Sequence, residues 1–128
     1  MYLVDSDRTI NFLQGRRGAA ELLVRLIPDG LAISVMTYAE VFEGLVYGRH
    51  PGSDESVWAG FLRVVEVLAH TVATAQQFAA IRGRLRADGM LIPDADIWIA
   101  ATAMEHDLTL VTGNLRHFER IAGLRLLG

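Results

Sequence analysis

Cysteine and lysine are both missing from the 128-residue chain. Without cysteine there is no disulfide framework, no thiolate metal site and no thiol nucleophile. Without lysine there is no Schiff base, no amine general base and no Walker-type loop with its phosphate-binding lysine. All 12 basic side chains are therefore arginines, permanently charged and shaped for two-pronged contacts with phosphate. No apolar run nears the roughly 20 residues that cross a bilayer. The N-terminus reaches a charge at Asp5, too soon for a signal peptide, so a cytoplasmic protein is expected. The net charge of −3 provides no broad cationic face for nucleic acid. Linkers, internal repeats and low-complexity segments are absent.

What is present is strongly apolar. Hydrophobic residues make up 52% of a chain long enough to bury a sizeable core, and a single domain over residues 1–128 is expected. Short β-type runs occur at Tyr2-Leu3-Val4, Leu31-Ala32-Ile33, Val67-Leu68-Ala69, Leu108–Thr112 and Leu124–Leu127. Between them the spacing predicts helices at 8–27 (broken at Gly15 and Gly18), 36–47, 54–66, 74–88, 93–105 and 115–120. In the second of these, Val35, Ala39, Phe42 and Val46 form one apolar stripe. Strands alternating with amphipathic helices predict an α/β fold with a mostly parallel sheet covered on both faces.

Acidic residues gather where such a sheet places its ligand crevice, beyond the carboxyl ends of the strands. Asp5 ends the first strand, Glu40 lies in the helix after the second, and Asp96 opens the helix before the LTLVT strand. The Thr112-Gly113-Asn114 turn follows that strand. Oxygen donors with neither cysteine nor paired histidines favour a hard cation, Mg²⁺ or Mn²⁺. Each residue also has a structural explanation. Asp5 and Asn114 suit turns, Asp7 suits a helix cap, and Glu43 competes with Glu40 for the inward position. Asp94 and Asp96 are two residues apart, so a helix points them about 200° from each other. Asp94, beside Pro93, suits the N-cap; Asp96 lies in the first turn, where the helix dipole favours its charge.

The stretches YLVDSD, ISVMTYAEVFEGL, IPDADIWIAATAMEHDLTLVT and GNLRHFERI occur in this order along nearly the whole chain. Together they resemble the PIN-domain ribonucleases, specifically the VapC-type toxins of toxin–antitoxin pairs. The resemblance implies a three-layer α/β/α sandwich and metal-assisted RNA hydrolysis. It implies Asp5, Glu40 and Asp96 as catalytic carboxylates that hold Mg²⁺ or Mn²⁺. Asn114 matches a fourth position that is acidic in many members, and Ser6 stands where the family often has Thr. Thr112 and Asp94 are supporting candidates. Arg116 falls where a basic residue is frequent, and Arg82 and Arg86 are further candidates for RNA phosphates. A VapB-type antitoxin and a homodimer are implied as partners, with Tyr47, Trp58 and Phe61 as candidate interface aromatics and core packing the competing role for the last two. A receiver-like phosphoacceptor module is the rival class, disfavoured because it would need a lysine late in the chain. A non-catalytic binding domain is disfavoured by the complete set of three acids.

Overall fold

The computed structural model describes residues 1–128. In chain order the elements are β1 (Tyr2–Val4), α1 (Ser6–Leu13), α2 (Ala19–Leu26), β2 (Leu31–Ser34), α3 (Val35–Tyr47), α4 (Glu55–Phe61), β3 (Val65–Leu68), α5 (Val72–Ala87), α6 (Asp94–Glu105), β4 (Thr109–Val111), α7 (Leu115–Phe118) and β5 (Leu126–Leu127). A one-turn 3-10 helix, Ile27–Asp29, follows α2. The five strands form one wholly parallel sheet in the order β3-β2-β1-β4-β5.

Alternation along β1, β2 and β4 explains why their inner residues are apolar. Leu3, Ala32 and Leu110 face a core built with α5, α6 and Phe118 of α7. Their neighbours Val4, Ile33 and Val111 face the opposite core, built with α1, α2, α4 and Val41 of α3. Consecutive side chains point to opposite faces, and both faces are covered at the central strands, whereas the edge strand β3 exposes Glu66. The result is the three-layer α/β/α sandwich expected from sequence.

Several local expectations are corrected. The first helix begins at Ser6 rather than Arg8 because Asp5 caps it, with Oδ1 accepting from the Ser6 N–H at 2.7 Å. Asp7 is therefore a first-turn residue and not the cap. The helix predicted at 54–66 stops at Phe61, leaving Val65–Leu68 to form the edge strand β3. At α6 the cap position belongs to Pro93, and Asp94 makes no capping bond.

The largest correction concerns α3. Val35, Phe42 and Val46 are 37%, 50% and 56% exposed, and Ala39 is exposed as well. The buried face is instead Thr37, Val41 and Gly44. This helix carries apolar residues on more than one side, so periodicity alone selected the wrong stripe. Among the aromatics, Tyr47 is exposed while Trp58 and Phe61 are core residues.

Candidate active site

The chain leaves β1 toward β2 on one side, while β4 occupies the other. Connections therefore diverge at the carboxyl end of β1, which opens the crevice where parallel sheets bind ligands. Asp5 stands at that point. It is 4% exposed. Its Oδ2 accepts from Thr112 Oγ1 at 2.7 Å, and its backbone N–H donates to the Val111 carbonyl at 2.9 Å. Burial pushes the Asp5 carboxyl up from 3.8 to about 7; the charges of Asp7 and Asp96 add to this, and the Thr112 and Ser6 hydrogen bonds oppose it.

On the β2 side, Ser34 ends the strand and caps α3 through its hydroxyl. The helix then presents Thr37 and Glu40, one turn apart, toward Ser6. Ser6 Oγ donates to Glu40 Oε1 at 3.0 Å and lies 3.1 Å from Thr37 Oγ1. Burial raises the Glu40 carboxyl above its ordinary value, with Asp96 contributing repulsion and Ser6 and His50 opposing. Glu43, one turn later, pairs with Arg49, both largely exposed, and makes no bond to Ser6. Of the two glutamates left open by spacing, Glu40 is the one that contacts Ser6.

On the β4 side, Asp96 lies in the first turn of α6, where the unsatisfied N–H groups favour a negative charge. Its Oδ2 is 2.7 Å from His117 Nδ1, and Asn114 Nδ2 is 2.8 Å from the same nitrogen. One ring nitrogen cannot donate to Asp96 and accept from Asn114 at once. A proton on Nδ1 serves Asp96 and requires the Asn114 amide to turn its oxygen toward the ring. The Asn114 backbone N–H donates to Thr112 Oγ1 at 2.9 Å, so Thr112 links Asp5 to this group. His117 was not singled out from sequence, although it lies three residues after Asn114, on the same side of a helical turn. Thr37, three residues before Glu40, carried the same kind of signal.

The remaining candidates make no hydrogen bond to Asp5, Glu40 or Asp96. Asp94 is bound to Arg82, whose Nε is 2.9 Å from Asp94 Oδ1, so this carboxylate points away from Asp96 as the spacing required. Arg82 and Arg86 share one shallow depression beside Phe78 on α5. Arg116 is exposed on α7. Asp7 holds the backbone N–H of Arg8 with one oxygen and that of Gly113 with the other, at 2.6 and 2.9 Å. It thereby ties α1 to the turn after β4.

The donor set can be weighed against a divalent cation. Asp96 repels both the buried Asp5 and the part-buried Glu40, which a cation would relieve. Glu40 Oε2 and Asp96 Oδ1 have no protein hydrogen bond, leaving oxygen lone pairs available. No three histidine, aspartate or glutamate side chains close to direct-chelate spacing. Magnesium keeps several waters and takes only one or two carboxylates, so an open all-oxygen group suits it.

The model of the PIN domain matches residues 2–124. Ribonuclease VapC2 of Haemophilus influenzae is 32% identical over 126 residues, covering 97% of this chain and 94% of that protein. The tRNA(fMet)-specific endonuclease VapC of Shigella flexneri is 28% identical, covering 97% and 94% respectively. Among solved structures, DNA-bound VapBC from Salmonella typhimurium superposes with a TM-score of 0.87 at 28% identity, covering 98% of this chain and 96% of that one.

Proposed function

The chain belongs to the PIN domain family and within it to the VapC ribonucleases, and on that premise we propose that it is the toxin of a toxin–antitoxin pair. Its activity is endoribonucleolytic hydrolysis of RNA phosphodiester bonds. The observation that carries this reading is the buried Asp5 carboxylate, raised to about 7 and set among Asp96, Glu40 and Thr112 at the strand ends. Such a group is costly to the fold unless a cation or a proton answers it.

Asp5, Glu40 and Asp96 would hold Mg²⁺ or Mn²⁺. A bound divalent ion supplies a nucleophilic water of lowered pKa and stabilises charge on phosphoryl oxygens. The protein's own groups set the geometry for this. Thr112 and Ser6 fix Asp5, Ser6 also orients Glu40, and His117 fixes one oxygen of Asp96 while leaving the other free. Asn114 braces the His117 ring. Arg116, Arg82 and Arg86 are assigned to RNA phosphates at the margin, with Arg82 engaged by Asp94 until substrate competes for it.

A VapB-type antitoxin is the partner, as in the VapBC assembly of Salmonella typhimurium. The apolar residues that α3 leaves exposed, Val35, Phe42 and Val46, offer surface for the homodimer. A single domain over 1–128 acting in the cytoplasm completes the reading, and no helix is long and apolar enough to cross a membrane.

The test is direct. Purified protein is incubated with structured and single-stranded RNAs in Mg²⁺ or Mn²⁺, and then with EDTA. Cleavage should require the ion, persist in Glu43→Gln and vanish in Glu40→Gln. Continued cleavage by the Asp5→Ala, Asp96→Ala double variant would overturn the assignment.

A further inference from the structure

Arg8 lies on α1 one turn beyond Asp5 and has no protein partner. Its Nε is sealed from solvent without an acceptor. None of the ion pairs in the molecule includes it. Its guanidinium is nevertheless held against the turn that serves the active site. A Cβ placed on Gly113 would sit 3.5 Å from Arg8 Cζ, 3.6 Å from Arg8 Nη2 and 2.9 Å from Asp7 Oδ2. The residues on either side of Gly113 are Thr112, which bonds Asp5, and Asn114, which contacts His117. Asp7 forms no ion pair with it, and each Asp7 oxygen is engaged by a backbone N–H instead.

An enclosed N–H with no acceptor destabilises the isolated protein, and a surface arginine ordinarily escapes it by turning its head to water. Here the stem is fixed, Nε is enclosed, and no side chain or carbonyl of the chain accepts from the two terminal nitrogens. The site beside it carries the like charges of Asp7 and Asp96 next to Asp5, which repel an approaching RNA, and Arg8 puts a cation at its Gly113 edge. We propose that Arg8 binds a backbone phosphate of the RNA at the Gly113 edge of the site and so positions the substrate. This rests on the ribonuclease reading above. Phosphate is favoured over a protein carboxylate because the guanidinium borders the turn that carries the catalytic contacts, and a fork of two N–H groups matches two phosphate oxygens.

The decisive variants are Arg8→Met, which keeps the stem but removes the unanswered N–H and the charge, and Arg8→Lys, which keeps the charge alone. Thermal melting of Arg8→Met should match or exceed that of the parent. Affinity for a fluorescein-labelled single-stranded RNA, measured by anisotropy in an Asp5→Asn background, should fall roughly tenfold. The slope of log affinity against log salt should shrink by about 0.7, the value for one phosphate contact on a single strand. Arg8→Lys should restore the slope. In the otherwise unaltered chain, KM should rise and kcat should stay constant. An unchanged slope and KM in Arg8→Met overturn the proposal, as does a fall in melting temperature matched by a fall in kcat. Lost antitoxin binding with an unchanged RNA slope assigns Arg8 to a protein carboxylate and overturns it too. Failure of the parent chain to cleave any RNA would instead remove the ribonuclease reading itself.

Discussion

Thr112 Oγ1 donates to Asp5 Oδ2 at 2.7 Å, joining the ends of two adjacent parallel strands that lie 107 residues apart in sequence. The same hydroxyl accepts the Asn114 N–H. Thr112→Val preserves shape but removes both bonds in a fully buried position. It leaves one Asp5 oxygen without its donor, so unfolding free energy should fall by about 1–3 kcal/mol. The measure is a lower urea midpoint at unchanged m. The Asp5 carboxyl should move further up, because a contact that lowers it has gone.

Stability should depend on pH through Asp5. Its folded value, about 7, is above the ordinary 3.8. The folded state therefore binds the proton more tightly than the unfolded chain. That contribution is fully present below the unfolded value and is lost as pH rises through about 7. Metal-free protein should lose stability across this window, and Asp5→Asn should flatten the loss. Mg²⁺ or Mn²⁺ competes with the proton, so its stabilising effect should be larger above the window than below it. Calorimetry in buffers of different ionisation enthalpy should detect proton release as the ion binds. A pH-independent response to the ion would exclude Asp5 as its ligand.

The architecture was legible from sequence because parallel strands buried on both faces must be continuous apolar runs, as Leu3-Val4 and Leu110-Val111 are. Asp5 was legible as a strand-end acid, Asp96 as a helix-start acid and Glu40 as one of two acids on the helix after β2, with the family resemblance selecting among the alternatives. What escaped was tertiary. Nothing local distinguishes the exposed Val35, Phe42 and Val46 from a core stripe, since the true inner face uses Thr37 and Gly44, small enough to bring α3 close. Asp94 looked like a cap until Arg82, twelve residues earlier on another helix, claimed its carboxylate. His117 was hidden because its partner Asp96 lies 21 residues away.

His117 should act through Asp96. Removing the ring in His117→Ala frees both Asp96 Oδ2 and the Asn114 amide. Partners that orient a metal-binding carboxylate typically account for 10–100-fold in metal affinity or activity. A loss of about that size in Mn²⁺ affinity is expected, with little change in melting temperature because His117 is partly exposed. His117→Asn, whose amide nitrogen can replace Nδ1 as a donor, should recover part of it. Equal Mn²⁺ affinity in parent and His117→Ala would show that the contact does not orient Asp96.

Gly44 should prove as sensitive as any residue of the site, although it carries no chemistry. After α3 the chain turns at Gly48, where φ is +65°, and the Arg49 N–H returns to the Gly44 carbonyl at 3.0 Å. This reversal lays the His50 ring on α3. A Cβ on Gly44 would stand 2.2 Å from His50 Cδ2 and 2.9 Å from Nε2, closer than non-bonded atoms can approach. Gly44→Ala must therefore displace His50, whose proximity helps keep Glu40 ionised and which lines a cavity with Glu40, Glu43 and Arg49. Two effects oppose each other, since alanine favours the helix by up to about 1 kcal/mol while the clash costs about 1–3 kcal/mol. The clash should win, giving a net loss of stability together with weaker ion binding. In Gly44→Ala, His50→Ala the ring is gone, so the helix preference should act alone and stability should recover. If the double variant is no more stable than Gly44→Ala, the close approach of His50 is not what requires glycine at this position.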